Sequence, residues 1–181
     1  MLSREEAWSI LEAAELVVSA AQVDDAVRRL AEEIRVRVAD ACPLVVSVMG
    51  GGIVFAGRIL PLLHFPLEVD YVHVTRYGDA LSGGMIEWVV RPRTPVRGRT
   101  VLVLDDILDE GNTLAAIREG FLADGARAVF NAVFAEKETG RAKPIRADFV
   151  GVRVPDRYVF GFGMDVHGAW RNLPAIYALA R

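Results

Sequence analysis

The sequence is poor in cysteine, has no long apolar run and carries no excess of one charge. Its one cysteine, Cys42, excludes an intrachain disulfide and favours a reducing, cytoplasmic setting. No apolar stretch approaches the length of a membrane span, so we expect no membrane contact. The opening MLSREEAW lacks a basic flank before an apolar segment, so we expect no signal peptide. Acids and bases are interleaved, and the net charge of -3 gives no electrostatic reason to expect nucleic-acid binding.

Histidine is also scarce. The sequence has 3 histidines, His64, His73 and His167, and they offer no set that suits a metal ion or an activated nucleophile. Cys42 has no catalytic partner in the sequence either, and it directly precedes Pro43. We therefore expect structural roles for these side chains, with a minor role for His167 as the alternative, because it lies close to the segment of Asp165.

Apolar residues are plentiful and are spread along the chain. Of the 181 residues 52% are hydrophobic and 25% charged, so we expect one domain, 1–181, with a sizeable buried core. Helical spacing of apolar residues occurs at 3–18, 23–38, 53–63 and 114–123. Short apolar or β-branched runs predict strands at 44–49, 67–75, 85–90, 101–104, 127–135, 149–154 and 158–160. Because strands alternate with helices, we expect an α/β fold, an open, mostly parallel twisted sheet flanked by helices.

The most informative segment is VLVLDDILDEGNTL, residues 101–114. Asp105 and Asp106 follow a predicted buried strand, and ligands of open parallel sheets bind beyond the carboxyl ends of strands. Asp109 comes three residues later, and Gly111 and Thr113 stand where a helix begins. The amides and the dipole at a helix start suit a phosphate, and glycine lets the backbone approach it closely. The segment therefore predicts a loop that holds a phosphorylated, Mg²⁺-bound ligand.

The paired acids need a separate explanation, because carboxylates would repel a bare phosphate. Asp105 and Asp106 are suited to sugar hydroxyls or to a hard cation, reached directly or through water. The alternative is that Asp109 and Thr113 only cap a turn while the paired acids end a strand. That alternative is favoured for any one of these residues alone. The four together, after so apolar a run, favour ligand binding.

This segment resembles the phosphoribosyl pyrophosphate (PRPP) motif of the type I phosphoribosyltransferases: four apolar residues, two acids, two apolar residues and Asp-x-Gly-x-Thr. The resemblance implies that Asp105 and Asp106 hold the ribose hydroxyls, with Mg²⁺ nearby. It implies that the 5-phosphate is bound by the loop that follows, made of Asp109, Glu110, Gly111, Asn112 and Thr113. It also implies a core at about 40–150 and a base-binding hood made of the N-terminal helices and about 150–181.

Later segments, AVFAEKET, IRADFVGVRVPDRYVFGFGMD and WRNLP, resemble the base-binding half of the hypoxanthine-guanine phosphoribosyltransferases. The whole resemblance spans about 44–173. It implies that Lys137 donates to the purine 6-oxygen, that Tyr158 stacks on the base and that the Val159 backbone faces the base edge. It further implies that Asp165 binds a Mg²⁺ carried by pyrophosphate and that Arg171 contacts the pyrophosphate.

Each of these side chains also has an ordinary alternative. Lys137 alone is typical of a solvated strand end, and Tyr158 alone is typical of a core. Asp165 could be a turn residue and Arg171 a partner in a surface ion pair. Their order and spacing behind the acidic segment favour a common site over these alternatives.

Two glycine-rich segments match ligand loops of the family but depart from its pattern. The glycines at 50–52 match the pyrophosphate loop, where the amides of Gly50 and Gly51 would bind, although the family often has a basic residue in place of Gly50. The segment RYGDALSGG, 76–84, matches a mobile loop that carries a Ser-Tyr pair, here Arg76 and Tyr77. Its closure over PRPP would exclude water from a reactive ribosyl centre. The alternatives are a plain strand–helix turn and an ordinary flexible connection.

The implied activity is transfer of the 5-phosphoribosyl group from PRPP to N9 of hypoxanthine or guanine, giving IMP or GMP and pyrophosphate. We expect Mg²⁺ as cofactor, PRPP and a purine as ligands, and a homodimer or homotetramer. Asp109 is the candidate acceptor of the N7 proton, because an ordinary Asp is ionised at neutral pH. The alternative is a regulatory protein of the same fold that senses PRPP or a nucleotide and binds nucleic acid through a basic face. A phosphatase or receiver domain is disfavoured, because those folds usually place such acids after the first strand.

Overall fold

Helices and strands alternate in the computed structural model, which describes residues 2–76 and 86–180. The first third contains α1 (Arg4–Ala13), β1 (Glu15–Val18), α2 (Ala20–Val38), β2 (Leu44–Met49) and α3 (Gly52–Ile59). The middle contains β3 (Glu68–Arg76), β4 (Ile86–Val90), β5 (Thr100–Leu108) and α4 (Asn112–Ala123). The last third contains β6 (Ala128–Glu138), β7 (Phe149–Pro155), β8 (Val159–Phe160) and β9 (Ile176–Ala178). Short 3-10 turns at Ala39–Ala41 and Leu60–Leu62 extend α2 and α3, so the helix predicted at 53–63 changes type near Pro61.

Six strands form the main sheet, in the order β4-β3-β2-β5-β6-β7. Every neighbouring pair is parallel except β3 with β4. One apolar core packs α2 and α3 on one face, and a second core packs α4 on the other, so the central strands are buried on both faces. This mixed, mostly parallel sheet flanked by helices confirms the α/β fold predicted from the sequence.

The longest described helix, α2, follows its amphipathic pattern. Ser19 and Gln22 form a capping box at its start, which satisfies backbone amides that the helix leaves unpaired. Its buried stripe consists of Val23, Ala26, Val27, Leu30, Ala31, Ile34 and Val38. Among the helices of residues 2–76 and 86–180, none has the length and apolar character needed to cross a bilayer.

A second sheet of three short antiparallel strands, in the order β1-β9-β8, joins residues near the start of the chain to residues near its end. The helical pattern predicted across 3–18 is wrong beyond Ala13. Ala14 is extended, and Glu15 and Val18 pair with Ala178 and Ile176 of β9. Pairing with a distant segment therefore overrides the local spacing. β9 was not among the predicted strands.

β5 is longer than the sequence predicts, and this changes the setting of the acidic segment. The apolar run predicts a strand at 101–104, whereas β5 continues to Leu108, so Asp105 and Asp106 lie inside the strand rather than after it. Parallel pairing with β6 continues as far as Leu108 opposite Glu136 and sustains the extended backbone. The paired acids are thus held by the sheet, and only Asp109 and the residues after it belong to the loop.

Candidate active site

Two oppositely charged side chains meet where β5 and β6 end. Asp109 follows the last residue of β5, and Lys137 is the last residue but one of β6. Because Leu108 pairs with Glu136, the parallel strands bring the next residues, Asp109 and Lys137, side by side. Lys137 Nζ is 2.5 Å from Asp109 Oδ2, and the Lys137 side chain is only 13% exposed. A charge-assisted hydrogen bond in this part-buried setting holds both side chains in place.

Asp105 and Asp106 are partly buried carboxylates. Burial raises the pKa of Asp105 well above its ordinary value of 3.8, and the charge of Asp106 raises it further. Burial also raises the pKa of Asp106, against the opposing effects of its hydrogen bonds and of the Arg171 charge. The amides of Asp106 and Ile107 donate to Asp105 Oδ1 and Asp106 Oδ1 at 3.0 and 2.8 Å. Partial burial limits the hydration of two adjacent ionised carboxylates, so the pair is suited to hydroxyl donors or a cation.

Two glycines let the acid pair pack tightly against neighbouring loops. A Cβ atom on Gly51 would lie 1.7 Å from Asp106 Oδ2, and one on Gly163 would lie 2.3 Å from the Gly51 carbonyl oxygen. Gly163 has a φ of 104°, a backbone conformation that other residues rarely adopt. Gly50, which follows a cis peptide bond, has open space where a Cβ would stand. Close packing therefore requires glycine at 51 and 163 but not at 50.

Arg171 links the acid pair to the segment after β8. Its Nη2 is 2.6 Å from Asp165 Oδ1, and its Nη1 donates to the Gly163 carbonyl oxygen at 2.6 Å. The same Nη1 is 4.0 Å from Asp106 Oδ2. Asp165 Oδ2 accepts from the Gly168 amide at 2.7 Å. A partly exposed, planar cation thus stands between Asp106 and Asp165, where it can also donate to an anionic ligand.

The start of α4 supplies backbone amides beside Asp109. Gly111 has a φ of 88° and precedes Asn112, the first residue of the helix. A Cβ on Gly111 would lie 3.2 Å from the side chains of both Leu108 and Ile145, so the turn is also tightly packed. The Asn112 side-chain amide donates to Glu110 Oε2 at 3.4 Å. The positive end of the helix dipole faces this turn, which suits the binding of a phosphate.

A cavity of about 230 Å³ brings together six of the predicted residues. Its wall consists of Asp106, Ile107, Asp109, Lys137, Tyr158, Val159, Met164 and Asp165. Tyr158 is 50% exposed, and its hydroxyl donates to the Asp165 carbonyl oxygen at 3.2 Å. The volume is just below the range typical of drug-sized ligands, which fits a single heterocyclic base. An aromatic ring, an ammonium and a carboxylate around one space can stack on a planar ligand and bond to its edge.

Some residues of the site were not singled out in the sequence, and some predictions stay open. Ile107 and Met164 line the cavity, and each stands inside a motif that carries other site residues, so the motifs could have indicated them.

Arg76 ends β3. Tyr77 and the rest of the predicted mobile loop lie outside the described residues. Closure of that loop stays a prediction.

Comparison with known proteins assigns this geometry to a family. A family model described as a phosphoribosyl transferase domain matches residues 19–167. The hypoxanthine-guanine phosphoribosyltransferase of Bacillus subtilis (strain 168) is 33% identical over 165 residues, 91% of this chain and 92% of that protein. The chain belongs to the hypoxanthine-guanine phosphoribosyltransferase family. It is therefore a pentosyltransferase, and the family and enzyme class predicted from the sequence are confirmed.

Solved structures support the same assignment. A hypoxanthine phosphoribosyltransferase from Staphylococcus aureus matches with a TM-score of 0.89 over 95% of both chains at 22% identity, which bears on the fold alone. A hypoxanthine-guanine phosphoribosyltransferase from Bacillus anthracis matches with a TM-score of 0.83 at 25% identity, over 92% of this chain and 98% of that chain. The main sheet and the small antiparallel sheet are thus those of a phosphoribosyltransferase.

Phosphoribosyltransferases generally use Mg²⁺ together with PRPP, and the residues of this site fit that ion. Asp106 and Asp165 offer carboxylate oxygens at one cavity wall, and Asp105 adjoins them in the chain. Within residues 2–76 and 86–180, no group of three or more His, Cys, Asp or Glu side chains is placed to hold a metal ion by itself. Mg²⁺ is usually bound by one or two carboxylates together with water and substrate phosphates.

Removal of one buried charge should stabilise the ligand-free protein. Because folding raises the pKa of Asp105, its ionisation opposes folding, and stability is lost as the pH rises from 3.8 through the raised pKa of the folded state. Asp105→Asn removes the charge, while its amide oxygen can still accept from the Asp106 amide. Calorimetry without Mg²⁺ or PRPP should give a higher Tm near neutral pH, by about 2–4 °C for each kcal/mol relieved. The difference should vanish below pH 3.8.

Asp40→Asn is the matched control, since Asp40 is an exposed acid outside the site. It makes the same change in net charge, and its Tm should stay close to that of the wild type at every pH. A Tm for Asp105→Asn that is unchanged or lower near neutral pH would show that the carboxylate is compensated in the folded protein.

Proposed function

We propose that this chain transfers the 5-phosphoribosyl group of PRPP to N9 of hypoxanthine or guanine, giving IMP or GMP and releasing pyrophosphate. The observation that carries the proposal is the contact between Lys137 and Asp109 at the wall of a cavity that Tyr158 also lines. The relative from Bacillus subtilis is named for hypoxanthine and guanine, which supports the same choice of bases here.

The Lys137–Asp109 pair is complementary to the edge of a 6-oxo purine. The purine O6 accepts a hydrogen bond, and the adjacent N7 carries a proton when N9 is free to attack. Lys137 supplies a donor for O6 and Asp109 an acceptor for N7–H, and the 2.5 Å between Nζ and Oδ2 puts both groups at one edge of the base. A 6-amino purine would turn a donor toward the ammonium, which disfavours it.

The rest of the base would meet the other walls of the cavity. Tyr158 would stack its half-exposed ring on the purine, and the backbone of Val159 would face the base edge. We propose that the three-stranded sheet β1-β9-β8 belongs to a hood over this position. Val159 lies in β8 and pairs with Ala178, so the sheet fixes the part of the chain that carries the ring.

PRPP would occupy the carboxyl end of β5. Asp105 and Asp106 would bind the ribose hydroxyls, which supply donors to carboxylates whose pKa values burial raises. The 5-phosphate would lie at the turn before α4 and at its first amides, bound by Asp109, Glu110, Gly111, Asn112 and Thr113. The helix start favours an anion at this position.

Pyrophosphate would leave toward the glycine loop. The amides of Gly50 and Gly51 and the guanidinium of Arg171 would hold it, with Asp165 as the residue for its Mg²⁺, an ion that would neutralise part of the leaving group's charge. The bond from C1 to pyrophosphate breaks ahead of the new bond to N9, which gives an oxocarbenium-like centre. Arg171 and the amides stabilise the departing charge. Asp109 accepts the N7 proton as N9 attacks.

The proposal is tested with a panel of bases. Pyrophosphate release is measured with PRPP, Mg²⁺ and hypoxanthine, guanine, xanthine or adenine in turn. We expect turnover of hypoxanthine or guanine and little with adenine. No turnover with any of the four would overturn the proposal. Strong retention on heparin in that event would favour the regulatory alternative, a protein that senses PRPP or a nucleotide and binds nucleic acid.

Asp109→Asn should lower kcat while PRPP still binds. The amide is nearly the same size but cannot take the N7 proton, so kcat should fall by about 10²–10⁴-fold. The Kd of PRPP, measured by calorimetry, should change little, because the backbone amides before α4 that would bind the 5-phosphate are kept and a carboxylate adds no favourable charge to a phosphate. Glu119→Gln, which neutralises an exposed acid on α4, should leave kcat unchanged. A normal kcat in Asp109→Asn would remove Asp109 from this role.

Lys137→Met should reduce the preference for 6-oxo purines. A hydrogen bond from a charged donor contributes about 1.5–3 kcal/mol, so kcat/KM for hypoxanthine should fall roughly 10–150-fold, with little change for adenine. Arg153→Met, which removes an exposed cation from the neighbouring strand β7, should keep the wild-type ratio. If Lys137→Met still prefers hypoxanthine over adenine as the wild type does, the assignment of Lys137 to O6 is wrong.

We propose that the protein is a cytoplasmic homodimer or homotetramer that meets its copies at the β3–β4 edge of the sheet. The single cysteine supports the cytoplasmic location. Val69 and Tyr71 alternate on one face of β3, and Val89 of β4 alternates with Glu87, which pairs with Thr75 on that face. All three side chains are exposed, and an apolar face of this kind is typical of an interface.

Tyr71→Asp should reduce the mass that light scattering reports in solution. A charge in the centre of this face would be buried unpaired by the second copy, which opposes association. Leu122→Asp places the same charge at an exposed apolar residue on α4 and should leave the mass unchanged. A wild-type mass for Tyr71→Asp would exclude this face as the interface.

A further inference from the structure

Lys143 stands outside every motif of the sequence, in the connection between β6 and β7, yet its side chain is only 10% exposed. Its ammonium donates to the carbonyl oxygens of Lys137 at 2.7 Å and Leu108 at 3.0 Å. Glu136 Oε1 lies 3.7 Å away on the same side. A part-buried ammonium thus lies between the ends of the two strands that carry the charged pair of the site.

The two carbonyl groups that accept from Lys143 belong to residues at the charged pair of the site. Leu108 directly precedes Asp109, and Lys137 is itself the cation of the pair. The register between β5 and β6 ends with Leu108 opposite Glu136, so it stops before either charged residue. The ammonium of Lys143 bridges the backbones of β5 and β6 just beyond the last pair of that register.

We propose that Lys143 is a positioning residue, which sets the separation between Asp109 and Lys137 and thereby the fit of the purine edge. This inference rests on the proposed function. Lys143 does not touch the base, since it is absent from the wall of the 230 Å³ cavity. It acts through the backbone carbonyls of the residues that carry or adjoin the charged pair.

The chemistry of the contact favours lysine. An ammonium is a compact donor with three protons, so it can meet two carbonyl oxygens and turn the third proton toward Glu136. Burial of such a charge is unfavourable unless its partners are well placed, and charge-assisted bonds at 2.7 and 3.0 Å supply them. Arginine would bring a larger, planar fork to the same space and would push the two carbonyls apart.

The test is the steady-state kinetics of Lys143→Met, which keeps the apolar stem and removes the ammonium. We expect kcat/KM for hypoxanthine to fall by about tenfold or more, mainly through a higher KM for the base, because the hydrogen bonds of Lys137 and Asp109 to the purine edge weaken when either group is displaced. The KM for PRPP should change less than the KM for the base, since the ribose ligands Asp105 and Asp106 lie inside β5, away from the two carbonyls that Lys143 binds. The ratio of hypoxanthine to adenine use should fall as well.

A role in folding alone gives a different result. Loss of folded protein lowers kcat for every substrate equally and leaves each KM and the base ratio at the wild-type values. That pattern in Lys143→Met would overturn the proposal, and so would wild-type kinetics. Arg146→Met is the control, because Arg146 is an exposed cation in the same connection, and it should behave as the wild type.

Lys143→Arg decides the question if the methionine variant does not fold. It retains a buried charge and donors for both carbonyls, so it should keep the fold and the KM for PRPP. A base KM raised severalfold would support the proposal, and a wild-type base KM would overturn it. The outcome is distinct from failure of the proposed function. If the wild-type protein turns over no purine, both proposals fall, and if it does while the Lys143 variants match it, only this one falls.

Discussion

The parallel pairing of β5 with β6 is the constraint on which the site depends. The register ends with Leu108 opposite Glu136, and the next residues along the two strands are Asp109 and Lys137. Because side chains alternate between the faces of a sheet, a slip of one residue would turn Lys137 away from Asp109. The same register keeps the paired acids inside β5, where Gly51 and Gly163 pack against Asp106. The positions of Asp106, Asp109 and Lys137 in the cavity thus follow from backbone pairing in the main sheet, whereas Asp165 comes from the segment after β8.

The placement of two adjacent carboxylates in β5 has an electrostatic cost. Asp105 and Asp106 are adjacent carboxylates that burial shifts toward the protonated form, and few donors reach them from the protein. The two apolar cores offset this cost to the stability of the fold. In them, aliphatic and aromatic side chains are fully buried on both faces of the sheet. A ligand with hydroxyl groups, or a cation, would supply what the acids lack. Binding energy and folding energy are therefore linked at this pair.

Contiguous motifs explain why much of the site could be predicted from the sequence. The acidic segment and the GFGMD segment each carry several site residues at fixed spacing, and six predicted residues meet at one cavity. The rest depends on contacts between distant residues. β1 and β9 are short strands that exist because they pair with each other, so local spacing at Glu15 gave the wrong element. Lys143 binds a carbonyl 35 residues away, and nothing in its neighbourhood indicates that partner. The end of β5 was likewise set by its pairing with β6 rather than by its own residues.

The contact between Lys137 and Asp109 also explains how the site can reject a wrong base. In the ligand-free protein the two charges satisfy each other at 2.5 Å, so a base must replace that contact with its own. A 6-oxo purine offers an acceptor and a donor and replaces both halves. Adenine leaves a largely buried ammonium facing another donor, and a buried charge without a partner is costly. Selectivity against adenine then comes from the ammonium that adenine leaves unpaired. It requires that Lys137 and Asp109 cannot move apart to relieve the contact between two donors. The ammonium of Lys143 between their backbones provides that restraint.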